Sequence, residues 1–217
     1  MLLPALAKRV LREHNEKLDP EGSERLPESL EEAGVSVINM NGIYFRHFMQ
    51  LFCDVDGTDH DGRVPIRCAG LTDKDPGKSA DAYLANAEGK NPALKLIPTV
   101  NQSKWSRIYS GRFQTLEYDL AVEAANMSIM YQVAESLRET VGSVKKQMHA
   151  YSICVWPKEI DKKKDRAASF LLKHIEKGRF AQALANHLAE KKDLIFTVPQ
   201  YIHSAVFWAC GGNPDER

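Results

Sequence analysis

The stretch Arg67-Cys68-Ala69-Gly70-Leu71-Thr72-Asp73-Lys74-Asp75-Pro76 sets the fold class. A short apolar run from Val64 to Leu71 predicts a buried strand over 64–72, and it feeds directly into two aspartates spaced Asp-x-Asp. In an ordinary loop that spacing means little. At the carboxyl end of a buried strand it means more, because open α/β sheets place their ligands in the crevice beyond the carboxyl ends of their strands. Two carboxylates there are hard oxygen donors suited to Mg²⁺ or Mn²⁺. Successive strand residues alternate between faces, so Asp73 and Asp75, two apart, share one, and the chain must turn before Pro76. The strand is therefore expected to end at Thr72, with the loop turning both carboxylates toward one site. Asp75, as the residue before a proline, is expected to be extended.

Outward from this stretch, the N-terminal half alternates helix and strand. Leu3, Leu6, Val10 and Leu11 predict a helix over 2–14. Residues 15–33 are polar and read as a loop. Val35 to Met40 reads as a strand ended by the Asn41-Gly42 turn, and Ile43, Phe45, Phe48, Leu51 and Phe52 fit a helix. Residues 54–62 form a turn-rich loop, 80–87 a short helix, and Ile108 to Phe113 an edge strand. From Glu117 the pattern is helical: a long helix over 118–144, then helices over 167–175, 180–191 and 199–209. The expectation is an α/β chain, with a small parallel sheet flanked by helices over 1–115 and a helical subdomain over 116–217.

Composition bounds the function. Twenty-nine Lys and Arg balance twenty-nine Asp and Glu, which argues against a general nucleic-acid binder. The charge is uneven, however: residues 141–192 hold twelve Lys or Arg against five Asp or Glu, a local +7 that leaves −7 elsewhere. That division suits an anionic substrate presented to a metal centre, and it equally suits a solvated helical face. No apolar run approaches the roughly 20 residues that span a bilayer, so no membrane partner is expected. Met1-Leu2-Leu3-Pro4 runs into Lys8, Arg9 and Arg12 without a signal-peptide core. Cys53, Cys68, Cys154 and Cys210 never form CxxC, which predicts buried, reduced thiols in a cytoplasmic setting.

Several other motifs compete. Asp54-Val55-Asp56-Gly57-Thr58 matches the DxDGT string of haloacid-dehalogenase-type phosphatases, with Asp54 as nucleophile, but the residues before it have helical periodicity where that motif needs a buried strand. The same segment mimics an EF-hand loop, yet position 6 is Asp59 instead of Gly and no Glu closes the loop. Gly77-Lys78-Ser79 ends like a P-loop, but the required first Gly is Thr72, so no nucleotide binding is expected of this chain. The seven histidines show no ligand spacing.

Gly70-Leu71-Thr72-Asp73-Lys74-Asp75 resembles the Asp-x-Asp motif of Toprim domains. Val35 to Phe45 resembles the strand and turn upstream of it in OLD-family (overcoming lysogenization defect) nucleases. Leu116-Glu117-Tyr118-Asp119-Leu120 and Lys177-Gly178-Arg179-Phe180-Ala181-Gln182-Ala183-Leu184-Ala185 are similar to two further motifs of that family, and Leu2-Leu3-Pro4-Ala5-Leu6 to the helix start after its first acidic motif. The resemblance spans nearly the whole chain and rests on the order and spacing of these motifs.

The resemblance implies a divalent-metal-dependent DNA endonuclease module, C-terminal to an ABC-type ATPase in complete members, some of which act in phage defence. It implies Asp73 and Asp75 as metal ligands, Glu117 as a further acidic position, Lys177 as a lysine acting at the transition state, and two Mg²⁺ or Mn²⁺ ions in a complete site. Without the resemblance, Glu117 is accounted for as an acid in a helix's first turn, and Lys177 as a lysine in a turn between helices. Lys162, Lys163, Lys164 and Arg179 offer contacts to a DNA backbone, or form a solvated run. The family's Glu-Gly-x-x-Glu segment would fall before Leu2. Glu21-Gly22-Ser23-Glu24 is a poor substitute, since no apolar strand precedes it and its second Glu comes one residue early. The expectation is a fragment lacking its first strand, its ATPase and a dimerising part. A catalytically incomplete DNA-binding or assembly domain is the alternative.

Overall fold

The computed structural model describes residues 2–18, 25–40, 45–56, 64–75, 89–138 and 142–213. Its contacts divide the chain into two compact units: a sheet unit of Ala7–Gln114 with Gln200–Arg217, and a helical unit of Met1–Leu6 with Thr115–Pro199. Helix α1, Leu2–Glu16, buries Leu6, Ala7, Val10 and Leu11 on one stripe, the spacing expected of an amphipathic helix.

In the sheet unit, α2 (Phe45–Met49) precedes β1 (Cys68–Thr72). A 3-10 helix, Pro92–Leu96, and α3, Ile97–Val100, then lead to β2, Ser106–Ser110. The two strands pair in parallel with Gly70 opposite Ile108, so the chain between them is a crossover, as parallel pairing requires. One face of the pair packs on a core of Met49, Cys53, Val55, Leu96 and Val100, joined by Ile108 and Cys68. Gly70 is needed on that face, because a Cβ there would lie 2.5 Å from Phe45 Cζ.

The other face carries α9, Gln200–Ala209, which packs on both strands. Arg107 on β2 and Arg67 just before β1 both place their guanidinium over the Trp208 ring, at 4.4 and 4.5 Å from its centroid. Arg67 also donates to the carbonyls of Trp208 and Gly212 at 3.1 and 2.7 Å. These lie where α9 ends in a left-handed Gly211 (φ 102°) with Gly212 N–H bonded to Phe207 O, a Schellman-type stop. A cation at this carbonyl-rich terminus is favourable.

The helical unit contains α4 (Leu116–Val122), α5 (Asn126–Ser136), α6 (Ser143–Ser152), α7 (Lys162–His174) and α8 (Lys177–Glu190). The single long helix expected over 118–144 is thus broken. Glu123 turns extended (ψ 123°) and Ala124 adopts φ 40°, a left-handed conformation that a non-glycine residue holds only with outside support. Two buried polar side chains supply the support. Lys164, fully buried, donates from Nζ to the carbonyls of Ala124 (2.9 Å), Pro157 (2.7 Å) and Lys158 (3.2 Å). Asn126 donates from Nδ2 to Leu120 O and Thr197 O, while its Oδ1 accepts from Thr197 N–H. Burial pushes the Lys164 ammonium down from its ordinary range, and Glu123 and Asp161 oppose that shift. Three carbonyl acceptors use all three N–H bonds of the charged form.

Two strand expectations also change. Val35–Met40 is irregular, with Val37 and Ile38 exposed, so its β-branched composition is not matched by ladder pairing. The strand expected from Val64 starts only at Cys68, and Val64 and Ile66 are exposed. The expected helix over 80–87 and the Asn41-Gly42 turn lie outside the described residues. Among the described residues, no helix is long and apolar enough to cross a membrane.

Lys164→Ala and Lys164→Met both orphan three carbonyls. Each is expected to cost about 3 kcal/mol of stability, read as a lowered urea midpoint, and a change below about 1 kcal/mol would contradict this role. In the sheet core, burial, with Cys53 beside it, pushes the Cys68 thiol up to about 11 from its ordinary 9.0. At pH 9 an ordinary thiol is half ionised while Cys68 is ionised to only about 1%, so its alkylation at that pH is expected to be roughly 50-fold slower than that of a free thiol. Because the folded pKa is the higher one, this contribution to stability is complete below pH 9 and is lost as pH rises from 9 through 11. Unfolding midpoints of wild type and Cys68→Ala across that range should therefore converge.

Candidate functional site

β1 ends at Thr72, and Asp73-Lys74-Asp75 follows it at the carboxyl end of the parallel pair. The pairing is carried one step further by Gly111 N–H bonding to Thr72 O at 2.9 Å. Asp75 N–H bonds to Gln114 O at 3.2 Å, and Lys90 N–H bonds to Asp75 O at 2.9 Å. The turn is therefore built by backbone from both sides. Asp75 is not extended: its φ is 44°, in the left-handed region that aspartate tolerates better than most residues. The preference imposed by a following proline is outweighed by these two hydrogen bonds. Asp73 is half-buried and Asp75 exposed.

Asn91 braces the same turn. Its Nδ2 donates to Thr72 Oγ1 and to Asp73 O, both at 2.9 Å, while its Oδ1 accepts from Ala93 N–H and caps the 3-10 helix. Gly89 lies against the turn's backbone, where a Cβ would sit 2.6 Å from Lys74 O and 2.2 Å from Leu94 Cδ1. Neither residue belongs to a motif named above. The Asn-Pro pair at 91–92, a cap followed by proline at the first helical position, was the available signal.

In the helical unit, two other expected site residues meet. Glu117 sits in the first turn of α4 behind the Thr115 cap, and its Oε2 lies 3.0 Å from Lys177 Nζ. Lys177 opens α8 instead of lying in a turn after a helix, so a favourable place at a carbonyl-rich helix end does not explain it. The Lys177 side chain is 55% exposed and that of Glu117 only 13%, so solvent screens the pair and its stabilising worth is under about 1 kcal/mol.

The basic run separates. Lys162 and Lys163 are exposed at the start of α7, and Arg179 is exposed on α8. Lys164 is removed from that surface by its burial, which corrects its place among the backbone-contacting residues. The helical phase accounts for this: once α7 begins at Lys162, Lys164 falls on the stripe of Ala168 and Leu171.

Asp54 follows α2 and a turn, and its Oδ1 accepts from Asp56 N–H at 3.2 Å, an Asx-type turn where a phosphatase nucleophile would need a strand. Gly57-Thr58, Gly77-Lys78-Ser79 and Glu21-Gly22-Ser23-Glu24 lie outside the described residues. Among the described residues, no group of three or more His, Cys, Asp or Glu side chains is placed to hold a metal ion. No family model matches the chain, and neither the curated proteins nor the solved structures yield a match.

Asn91→Ala deletes three hydrogen bonds at the Asp-x-Asp turn. It is expected to lower stability by about 1–2 kcal/mol, measured by chemical denaturation; an unchanged midpoint would show that the turn holds without it.

Proposed function

We propose that the chain is a divalent-metal-dependent DNA endonuclease module of Toprim type, similar to the C-terminal region of OLD-family nucleases. The observation that carries this reading is the position of Asp73-Lys74-Asp75, directly beyond the carboxyl end of β1 in a parallel pair. The chemistry of the donors fits a small hard cation, which keeps several waters and takes one or two carboxylates from the protein. Asp73 and Asp75 would hold Mg²⁺ or Mn²⁺. The bound ion would supply a water made nucleophilic near neutral pH and charge stabilisation at phosphorus. The protein's part is to fix the backbone of the turn that carries the two carboxylates, through the Asn91 amide, Lys90 N–H and Gln114 O. Glu117 and Lys177, from the two further motifs, would act as an additional acid and as a point charge toward phosphate. An ABC-type ATPase, a role in phage defence, dimer formation and a cytoplasmic setting belong to this reading as properties of a longer protein.

The ion pair between Glu117 and Lys177 favours a second reading. A carboxylate already engaged by an ammonium at 3.0 Å is a weaker metal ligand, as suits a DNA-binding or assembly domain without catalysis.

Incubation with supercoiled plasmid in Mn²⁺ or Mg²⁺ is expected to give nicked and linear forms. Chelation by EDTA, or Asp73→Ala together with Asp75→Ala, should reduce cleavage to background. Cleavage that survives the double substitution would remove these residues from the site. Salt-sensitive DNA binding with no cleavage in either metal would select the second reading.

A further inference from the structure

Trp208 carries two guanidinium groups that lack a counter-charge. Arg67 stands two residues before Ala69, the register partner of Arg107, and both side chains leave the face of the strand pair that carries α9. Both guanidinium groups lie over the Trp208 ring, at 4.5 and 4.4 Å from its centroid. Each uses Nη1 alone for its hydrogen bonds. Arg67 Nη1 donates to Trp208 O and Gly212 O, and Arg107 Nη1 donates to Ser103 O and, at 2.8 Å, to Ser106 O. The Nε and Nη2 donors of both arginines are without a partner among the described residues, and neither arginine pairs with a carboxylate there. The indole N–H of Trp208 is a further donor without an acceptor, although the residue is only 6% exposed.

The packing of the sheet does not account for this arrangement. The carbonyl-rich end of α9 explains one cation, Arg67, and leaves the second charge and the indole unexplained. Two cations gathered on one ring repel each other, and a buried tryptophan N–H ordinarily finds an acceptor. One ligand relieves both: an anion with several oxygens. The unused groups are all donors and carry two positive charges. A carboxylate brings one charge and two oxygens. A phosphate monoester near neutral pH brings close to two charges and three acceptor oxygens, and the guanidinium fork matches its geometry. Both arginines are half-buried, so their free edges are open to a ligand from solvent.

We propose that Arg67, Arg107 and the Trp208 indole N–H form a binding site for a phosphate dianion, as free phosphate or as the terminal group of a phosphate monoester. Arg67 precedes β1 and the Asp73-Lys74-Asp75 turn follows it, roughly 20 Å away along the strand. A phosphate held here is therefore not one that a cation at the turn would touch, and the site stands apart from the nuclease reading.

Isothermal titration calorimetry with inorganic phosphate and with a nucleoside 5′-monophosphate, at an ionic strength held constant with chloride, tests the site. One equivalent is expected to bind with a Kd of about 1 mM or tighter and to raise the melting temperature. Arg107→Gln is the variant of choice, because Arg67 also closes α9 and its loss would mix binding with folding. Arg107→Gln is expected to weaken binding about tenfold. Trp208→Phe keeps an aromatic ring beneath the guanidinium groups and removes only the N–H, and it is expected to weaken binding about fivefold. Where a variant melts lower by itself, the further rise produced by phosphate is the readout, and it should shrink in both variants. A rise of wild-type size in Arg107→Gln overturns the proposal. So does the absence of binding by either phosphate compound, or acetate that binds as tightly as phosphate. Tighter binding of the nucleoside monophosphate supports the site with an esterified ligand, and equal binding supports it with free phosphate.

Discussion

The ammonium of Lys164 holds the helical unit in its observed form. A lysine charge taken out of water must find an acceptor for each N–H, and it finds three carbonyls, from Ala124, Pro157 and Lys158. Those carbonyls lie on two separate stretches of chain, so one side chain stabilises both a break between helices and a loop. Without it, the apolar pattern running from Tyr118 to Ala134 has every local reason to continue as one helix. With it, Ala124 is kept in a left-handed conformation and α5 leaves α4 in a new direction. The same side chain ties down the end of the 153–158 loop, which presents Ile153 and Val155 to solvent while its tryptophan is buried.

The sheet unit is governed by a different constraint. Two parallel strands cannot be joined by a tight turn, so the chain from Asp73 to Trp105 must leave β1 and return, and Asp73-Lys74-Asp75 is where it leaves. The backbone there would be strained if it were unsupported. Gln114, Lys90 and the Asn91 amide provide the support, and the close approach of residue 89 to Lys74 O demands glycine. On the opposite face a tryptophan takes two guanidinium groups, one of which also caps the helix that carries it. Polar groups therefore fix the small sheet as well as the apolar side chains packed on its two faces.

Much of this was legible in the residues. The strand end at Thr72, the helices at the N-terminus and after residue 160, and the second strand near Ile108 follow from periodicity and from turn residues, because those signals act over a few neighbours. What failed had a shared cause. Val35–Met40 is β-branched but irregular, with Val35 N–H bonded to Leu30 O, and the 118–144 helix is apolar but interrupted. In each case tertiary context outweighed a local preference. Lys164 is the clearest example. Among three consecutive lysines nothing local marks the third as buried, and only the starting point of α7 puts it in phase with Ala168 and Leu171. The meeting of Glu117 with Lys177 was likewise hidden, since sixty positions separate them in the chain.

The chain's own order of residues settled its class, α/β with a helical second half, and placed an Asp-x-Asp pair beyond the end of a strand. Those features depend on the spacing of apolar groups and on the conformational limits of neighbouring residues, both of which are local. Tertiary structure alone decided which charges are surface and which are interior, how Asp75 is turned, and which loops present apolar tips. Such outcomes depend on hydrogen bonds between residues dozens of positions apart, where the cost of desolvating a polar group is met by partners that the folded chain brings together.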